Sequence, residues 1–558
     1  MSKAPTVKKI TPSSGSLSPN RLQTVTLSAA YNIILQISLR VVTFISNAFI
    51  LRYISQDVLG LINVRLLLLY TTIQFTSREA FRRSCAPKSV DSKETTRWSE
   101  VVNVTYLTVP FSVIVGLFFC TVWYHLEQPE EKYVLHYWYG MVSIFSSVVI
   151  EQLAESCFIY GQRNDYIRLK VVIEGIFQLV RCLTISSTVA LSPENAILGF
   201  AIAQFFASTI YSASYFIYFI FIDGQSMRKF LPSFVRQSLN TTLFQTTLSF
   251  IQNTALKQFL TEGERYVMTF YPVITLAEQG VYDTINNLGS LPARLIFQQI
   301  EENSYLLFSS IVKRELPIEK QKSEIRESLD ICAKLVRFMF LFSLLLFVYG
   351  FNCAQLALYL YGGGNFVSGS YGALAVQLLQ WHCFYIVFIA LNGILESYSF
   401  AAMSTQAMRA FNFKMLALSG AFLVVSLQTT ASFGSQGFII ANCLNMALRI
   451  VISGRFIGQL ANSTLSFARQ CLPDLVTLLS FLFVFLVLRS TRIFLLSELL
   501  FRKSFATVLQ QSAIFVLSVG ALFVCQLIFI VYRERDLVNF IRTQILRRRA
   551  GEEKAKKL

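Results

Sequence analysis

Residues 260–270 read LTEGERYVMTF, and three of them, Glu262, Glu264 and Arg265, are charged at neutral pH. The flanking segments, from residue 243 to residue 311, are mostly apolar and have the pattern of helices. A charged side chain in such a setting is costly unless it faces a polar interior. The fold must therefore hold this cluster away from hydrocarbon.

The composition of the whole chain places it in a bilayer. Of its 558 residues, 54% are hydrophobic and 15% are charged, whereas soluble proteins carry roughly 25% charged residues. Apolar runs of about 20 residues, the length that spans a bilayer as a helix, recur along nearly the whole sequence. The alternating ten-residue pattern of β-barrel strands is absent. These features predict an all-α polytopic membrane protein.

Fourteen transmembrane helices are predicted, the first of them retained rather than cleaved as a signal peptide. They cover residues 24–50, 58–78, 101–124, 134–159, 167–190, 196–222, 243–275, 278–311, 334–360, 372–395, 412–430, 436–458, 470–490 and 509–532. Gly263 interrupts the seventh span, and Gly289 and Pro292 interrupt the eighth. Broken helices around a central site are typical of transporters.

The basic residues predict the orientation of the chain. Most of the 49 lysines and arginines fall in segments that this span count assigns to the cytosol, so the positive-inside rule places both termini there. The last luminal loop, which contains Arg489 and Arg492, is the one misfit. The net charge of +17 is thus mainly an orientation signal, and no nucleic-acid partner is expected. The C-terminal KAKKL carries Lys554 and Lys556 in a dilysine retrieval pattern.

Eight basic residues lie inside predicted spans: Arg40, Arg65, Arg78, Arg181, Lys257, Arg265, Arg294 and Arg449. A cation at the bilayer centre costs about 2.5–3.5 kcal/mol even on the lenient insertion scale, so the set costs on the order of 20 kcal/mol. Helical spacing puts most of them on polar stripes, such as one in span 8 that runs from Asp283 through Arg294 to Glu301. Arg181 lies off these stripes. The stripes predict a hydrated central cavity, and the alternative is that the charges only neutralise one another and fix helix packing.

A cavity lined mainly by guanidinium groups suits phosphate oxygens, which arginine holds in bidentate geometry. Asn, Gln, Ser and Thr on the same faces can hydrogen-bond sugar hydroxyls. We therefore predict a phosphorylated and glycosylated substrate. The residues predicted to bind it are Asn32, Gln36, Arg40, Arg65, Arg78, Lys257, Glu262, Glu264, Arg265, Asp283, Arg294 and Arg449.

Enzymatic and metal chemistry has no support in the sequence. The ten cysteines are scattered through apolar segments and the three histidines, His125, His136 and His382, lie far apart, so no metal site is expected. No nucleotide-binding loop, nucleophile elbow or zinc-protease motif is present. We predict no catalytic residue and no cofactor, and any transport is passive or coupled to an ion or a partner.

Several segments resemble the eukaryotic Rft-type proteins of the endoplasmic reticulum. The most specific are LKQFLTEGERYVMTF (256–270) and QGVYDTINNLGSLPARLIFQQIEENSY (279–305), supported by SREAFRRSC (77–85) and GFIIANCLNMALRI (437–450). The match runs from about residue 28 to residue 455. Where the family reads ARLIFQPIEES, this chain reads ARLIFQQIEEN and gains Pro292, so the kink in span 8 is expected at a different position.

The resemblance implies a fold like that of multidrug exporters and lipid II flippases, the MATE and MOP superfamily. It predicts two pseudo-symmetric six-helix bundles and two added C-terminal helices. The implied organisation is a cytosolic segment (1–23), an N-terminal bundle (24–222), a linker (223–242), a C-terminal bundle (243–458), two further helices (459–532) and a basic cytosolic tail (533–558).

The implied function is that of a flippase rather than an enzyme. It would move dolichyl-pyrophosphate-linked Man5GlcNAc2 from the cytosolic to the luminal leaflet of the endoplasmic reticulum for N-glycosylation. The implied partners are dolichol-linked oligosaccharide, membrane lipid and, as further candidates, enzymes of the same pathway. The alternative is a non-transporting accessory protein that binds this lipid or those enzymes.

Overall fold

A computed structural model describes residues 38–87, 97–126, 129–233, 240–271, 273–314, 316, 318–461, 463–496, 505–540 and 542–543. Over these ranges the chain forms helices and connecting turns, without a β-strand. The helices of the first half are α1 (Ser38–Leu51), α2 (Gln56–Leu59), α3 (Leu67–Cys85), α4 (Trp98–Tyr106), α5 (Thr108–Tyr124), α6 (Glu131–Leu153), α7 (Glu155–Arg163), α8 (Ile167–Leu191) and α9 (Ala196–Ile217). Those of the second half are α10 (Thr241–Thr261), α11 (Gly263–Phe270), α12 (Leu276–Gly289), α13 (Gln298–Ile311), α14 (Lys322–Ser368), α15 (Gly372–Ala402), α16 (Thr405–Phe433), α17 (Gln436–Leu460), α18 (Thr464–Cys471), α19 (Leu475–Leu496) and α20 (Phe505–Arg533).

Ten helical segments of the described residues are long and apolar enough to cross a membrane. Large apolar side chains such as Phe221 and Leu517 are exposed on the outside of the protein, where lipid rather than water is the solvent. The predicted class, an all-α polytopic membrane protein, is confirmed. The count of fourteen spans stays a prediction.

Four predicted spans are helical in the structure but are not among those ten segments: α1, which is the described part of the first span, α8, the α10–α11 pair and the α12–α13 pair. Each carries charged residues, for example Arg181 on α8 and Asp283 on α12. A helix that faces a polar interior is not required to be apolar all round. These four segments are therefore the ones expected to line a polar cavity.

Breaks in the helices occur where the sequence predicts them, and also elsewhere. Helix α10 ends at Thr261 and α11 begins at Gly263, while α12 ends at Gly289 and is followed by a π-helical turn, Ala293–Phe297. Both predicted interruptions are confirmed. The predicted thirteenth span, 470–490, is wrong in its boundary, because a break at residues 472–474 separates α18 from α19. Pro473 in this break lacks the N–H that a continuous helix needs.

Buried apolar residues form one large cluster between the two halves of the chain and smaller ones within each half. The large cluster joins residues of the first half, such as Val64 and Ile144, to residues of the second half, such as Val281 and Phe438. The segment Gln56–Cys85 is the most buried of the ten membrane-crossing candidates, and Gln510–Arg533 is the most exposed. The second span is thus the central helix of the fold.

The last two helices pack on α14. Leu341 and Leu345 of α14 form a buried cluster with Phe481 and Leu488 of α19. Beside this cluster, Arg337 lies 2.8 Å from a carboxylate oxygen of Glu534, whose side chain is 3% exposed. An ion pair with one end so deeply buried is costly to break, so it fixes the position of the C-terminal helices.

Two glycines let the halves approach closely. A Cβ atom on Gly280 of α12 would lie 2.5 Å from the carbonyl oxygen of Gln56 and 2.6 Å from the amide nitrogen of Gly60. Both contacts are with backbone atoms, which cannot swing away as a side chain can. Small residues at helix crossings allow such backbone contact in membranes.

Replacing Gly280 by alanine is therefore expected to push α12 away from the Gln56–Gly60 segment and to destabilise the protein by about 1–3 kcal/mol. Thermal unfolding in detergent would measure the effect. Gly420 of α16 is a matched control, because a Cβ atom there meets nothing within 4 Å. Gly420→Ala should be neutral or stabilising, and equal losses for both variants would contradict the close approach.

Candidate functional site

A cavity of about 400 Å³ lies between the two halves. Four arginines and one aspartate are the charged residues of its lining: Arg40, Arg181, Arg265, Arg294 and Asp283. We call it the arginine cavity. These residues come from α1, α8, α11, the π-helical turn and α12. All four of the predicted spans that are not among the ten membrane-crossing candidates thus contribute to it.

The broken eighth span positions Arg294. Helix α12 starts with a capping box, in which Thr275 and Glu278 satisfy each other's backbone amides. After Pro292 the π-helical turn carries Arg294, whose Nη2 donates to the carbonyl oxygen of Asn287 at 2.6 Å. Arg40 of α1 donates from Nη1 to the carbonyl oxygen of Arg294 at 3.1 Å. Backbone acceptors therefore hold both guanidinium groups without neutralising them.

Arg265 is the arginine of the opening sequence motif, and its charge is balanced. Its Nη2 lies 2.8 Å from Oδ1 of Asp283, and its Nη1 lies 2.9 Å from Oε2 of Glu262. Asp283 is 2% exposed and also accepts a hydrogen bond from Asn287 at 2.8 Å. The break at Glu262 thus places a carboxylate on either side of the Arg265 guanidinium.

The other three arginines have no carboxylate partner within 4.0 Å among the described residues. Arg181 donates to the side-chain oxygens of Gln178 at 3.1 Å and Gln204 at 3.5 Å. With Arg265 paired, the cavity keeps the positive charges of Arg40, Arg181 and Arg294. Guanidinium groups in a confined, partly dry site attract anions far more strongly than they do in water. The cavity is therefore suited to an anion with several oxygen acceptors.

The family model described as Rft protein matches residues 24–544, which is nearly the whole chain and includes every charged residue of the arginine cavity. This chain belongs to the Rft protein family. The sequence resemblance to Rft-type proteins is thereby confirmed.

Sequence similarity to curated relatives extends over most of this Rft protein. The Man(5)GlcNAc(2)-PP-dolichol translocation protein RFT1 of Xenopus tropicalis is 38% identical over 451 residues, which are 78% of this chain and 82% of that protein. The protein of the same name from Mus musculus is 38% identical over 445 residues, with 77% and 81% covered.

A solved structure shares the fold. The lipid II flippase MurJ in an inward closed conformation aligns with a TM-score of 0.57 and 13% sequence identity, over 91% of this chain and 100% of that chain. At this identity the likeness concerns the fold alone. The predicted resemblance to lipid II flippases is confirmed at that level, and the Rft protein is a multi-pass membrane protein.

Four of the predicted substrate residues, Arg65, Arg78, Glu262 and Glu264, are not among those that line the arginine cavity. Arg65 is 1% exposed within a π-helical turn. Arg78 lies 3.6 Å from each of two buried carboxylates, Glu151 and Glu155. Glu264 accepts hydrogen bonds from Tyr282 at 2.9 Å and from Asn442 at 2.5 Å. Arg78 and Glu264 thus join helices to one another, which is what the alternative of charge neutralisation expects. Substrate binding by these four residues stays a prediction.

Two further predicted residues face other cavities. Lys257 of α10 and Arg449 of α17 line a cavity of about 380 Å³. Arg449 also lines one of about 660 Å³ beside Glu301 and Glu396. The single polar stripe predicted along span 8 is therefore wrong, because Asp283 and Arg294 face the arginine cavity while Glu301 does not. The π-helical turn between them adds a residue to one turn and rotates the following side chains by ~100°.

Sequence reasoning missed polar residues of the arginine cavity such as Asn63 and Gln178, and it left Arg181, which also lines the cavity, off the predicted stripes. One face of α8 carries both Gln178 and Arg181, because helical spacing groups them with Cys182 and Ile185. The low apolar content of that span was the feature of the sequence that could have placed α8 at the cavity. Two predicted residues, Asn32 and Gln36, and the retrieval lysines Lys554 and Lys556 lie outside the described residues.

Proposed function

We propose that this protein is a flippase that moves dolichyl-pyrophosphate-linked Man5GlcNAc2 from the cytosolic to the luminal leaflet of the endoplasmic reticulum membrane. The curated relatives carry the name Man(5)GlcNAc(2)-PP-dolichol translocation protein. Three arginines without carboxylate partners among the described residues, facing one cavity between the halves, support this proposal most directly. Two phosphates joined to a lipid present several anionic oxygens to such a set.

The proposed substrate carries a diphosphate that cannot cross hydrocarbon unaided, because an unpaired charge there costs many kcal/mol. Arg40, Arg181 and Arg294 would replace the water that solvates the diphosphate. Binding uses no covalent step, and we propose that the protein is not an enzyme. Dolichol-linked oligosaccharide and membrane lipid are the proposed partners, with enzymes of the pathway as candidates.

Transport by purified protein is the decisive measurement. Vesicles that contain the protein and radiolabelled Man5GlcNAc2-PP-dolichol should transfer the lipid between leaflets faster than protein-free vesicles. Transfer at the protein-free rate by correctly folded protein would contradict the flippase assignment. Tight binding of the lipid without transfer would instead support the accessory function.

The proposed topology has both termini in the cytosol, with the domain boundaries given by the sequence. Three glycosylation sequons, at Asn103, Asn240 and Asn462, then lie on or near the cytosolic side. Asn103 is 8% exposed and exchanges hydrogen bonds with Ser233, and Asn240 caps α10. Both side chains are therefore engaged in the folded protein.

None of the three sequons is expected to be glycosylated, because glycosylation occurs in the lumen. Endoglycosidase treatment should leave the electrophoretic mobility of the protein unchanged. A tag added to the C-terminus should be digested by protease in sealed, right-side-out microsomes. A protected tag would reverse the proposed orientation.

A further inference from the structure

A second cavity, of about 660 Å³, lies along α13, α15 and α17. Three carboxylates and two arginines line it: Glu301, Glu302, Glu396, Arg314 and Arg449. We call it the carboxylate cavity. Its charge balance is opposite to that of the arginine cavity, so a diphosphate is not its natural ligand.

Two acceptor groups of the carboxylate cavity have no donor among the described residues. Glu301 makes no hydrogen bond and no ion pair there. Asn392 is 7% exposed, and its Nδ2 donates to Glu396 at 2.7 Å. Its Oδ1 is buried without a hydrogen-bond partner. The buried Asn392 acceptor is costly without a donor, and the half-buried Glu301 carboxylate in the same cavity is a second free acceptor. The two groups together suit a ligand that donates hydrogen bonds.

The neighbouring helix makes room for Glu301. A Cβ atom on Gly393 of α15 would collide with Oε1 and the carboxyl carbon of Glu301. Glycine at this position therefore lets the Glu301 carboxylate lie directly against the α15 backbone. One turn further along α15, Glu396 is only partly neutralised by Arg449, whose Nη1 is 3.6 Å away.

A donor-rich ligand is either a cation or a polyhydroxyl compound. Cations bind oxygen ligands that converge within about 2.0–2.6 Å of one point, and the described residues contain no group of three carboxylate, histidine or cysteine side chains that could hold a metal ion. The cavity is far larger than a cation requires. Tyr305 and Phe400 supply aromatic surface to its lining, which suits the apolar faces of sugar rings. The observations favour a glycan.

We propose that the carboxylate cavity binds the hydroxyl groups of the glycan portion of the substrate, while the arginine cavity binds its diphosphate. This inference rests on the proposed function and assigns one half of the same substrate to each cavity. Glu301 follows Arg294 by seven positions in the eighth span, which is about 10 Å along a helix axis. The first sugars are linked directly to the diphosphate and extend over such a distance.

Measuring lipid binding to the full-length protein in lipid nanodiscs tests whether the glycan and the diphosphate bind in separate cavities. The two probes are Man5GlcNAc2-PP-dolichol and dolichyl pyrophosphate without sugar. Glu301→Gln keeps the shape of the side chain but replaces a charged acceptor by a neutral amide. We expect the affinity for the glycolipid to fall about 10- to 100-fold, and the affinity for the sugar-free lipid to stay unchanged. Glu327→Gln is the matched control, since Glu327 is exposed on α14.

Asn392→Leu provides a second variant that removes the unpaired acceptor, and thermal unfolding of each variant shows that it is folded. Equal losses for both probes, or no loss for either, would overturn the glycan assignment. The glycan assignment would also be overturned by evidence for a cation site. In that case sodium ions or protons would stabilise the unmodified protein against thermal unfolding, and Glu301→Gln would abolish this stabilisation while leaving the glycolipid affinity intact. If the unmodified protein binds neither lipid, the proposed function itself fails. Binding of both lipids without an effect of Glu301→Gln removes the inference alone.

Discussion

Replacing Arg294 by alanine is expected to weaken the binding of dolichyl pyrophosphate by about 100-fold and to abolish measurable transport. Arg294 faces the arginine cavity without a carboxylate partner among the described residues, and the carbonyl oxygen of Asn287 holds its guanidinium there. Removing one member of a buried, hydrogen-bonded charge pair costs about 2–5 kcal/mol, and about 3 kcal/mol corresponds to a factor of 100 or more in affinity. Titration of the purified variant with the lipid gives the affinity directly.

Two controls separate the role of Arg294 from a general loss of positive charge. Arg294→Lys keeps the charge but cannot make the bidentate contact, so it should recover only part of the affinity. Arg168→Ala removes an exposed arginine at the start of α8 and should bind like the unmodified protein. A loss for Arg168→Ala equal to that for Arg294→Ala would show that only the overall charge matters.

Replacing Asp283 by alanine is expected to destabilise the fold by about 3–5 kcal/mol, the usual cost of breaking a buried ion pair. Asp283 is 2% exposed, and its two oxygens accept hydrogen bonds from Arg265 and Asn287. Without it, Arg265 keeps only Glu262 at 2.9 Å. Unfolding by heat or denaturant in detergent should show a large drop in stability for Asp283→Ala. The stability of Asp283→Asn should lie between those of Asp283→Ala and the unmodified protein.

Asp330 offers a matched control for this stability effect. It lies 2.6 Å from Lys334, four residues along α14, but its side chain is 61% exposed. Exposed pairs of this kind contribute about 0.3–0.5 kcal/mol. Asp330→Ala should therefore leave the unfolding midpoint almost unchanged. Similar losses of stability for the two aspartate variants would mean that the burial of Asp283 does not strengthen its ion pair.

Local chemistry made part of the site predictable. Arg40, Arg265 and Arg294 had to face a polar interior because a guanidinium in hydrocarbon is too costly, and the structure gathers them around one cavity. The helix breaks at Gly263 and Pro292 were predictable for a similar reason, since glycine and proline weaken a helix wherever the fold places them.

Partners could not be read from the sequence in the same way. Arg78 and Arg294 are both arginines within predicted spans, yet Arg78 lies between Glu151 and Glu155 while Arg294 faces the cavity. Which of them meets a carboxylate depends on how α3 and α6 are rotated against each other. Arg181 shows the reverse case, because it lies off every predicted stripe and still lines the arginine cavity.

The sequence by itself determined that this protein is a helical membrane protein, that its seventh and eighth spans are broken and that its intramembrane charges need a polar interior. These properties follow from the length and polarity of short segments, and a bilayer imposes the same cost on a charge in any fold. Only the tertiary structure decided which charges neutralise one another and how the polar groups divide into an arginine cavity and a carboxylate cavity. That division arises from the π-helical turn after Pro292 and from the contacts between helices distant in sequence, and no local pattern encodes such contacts.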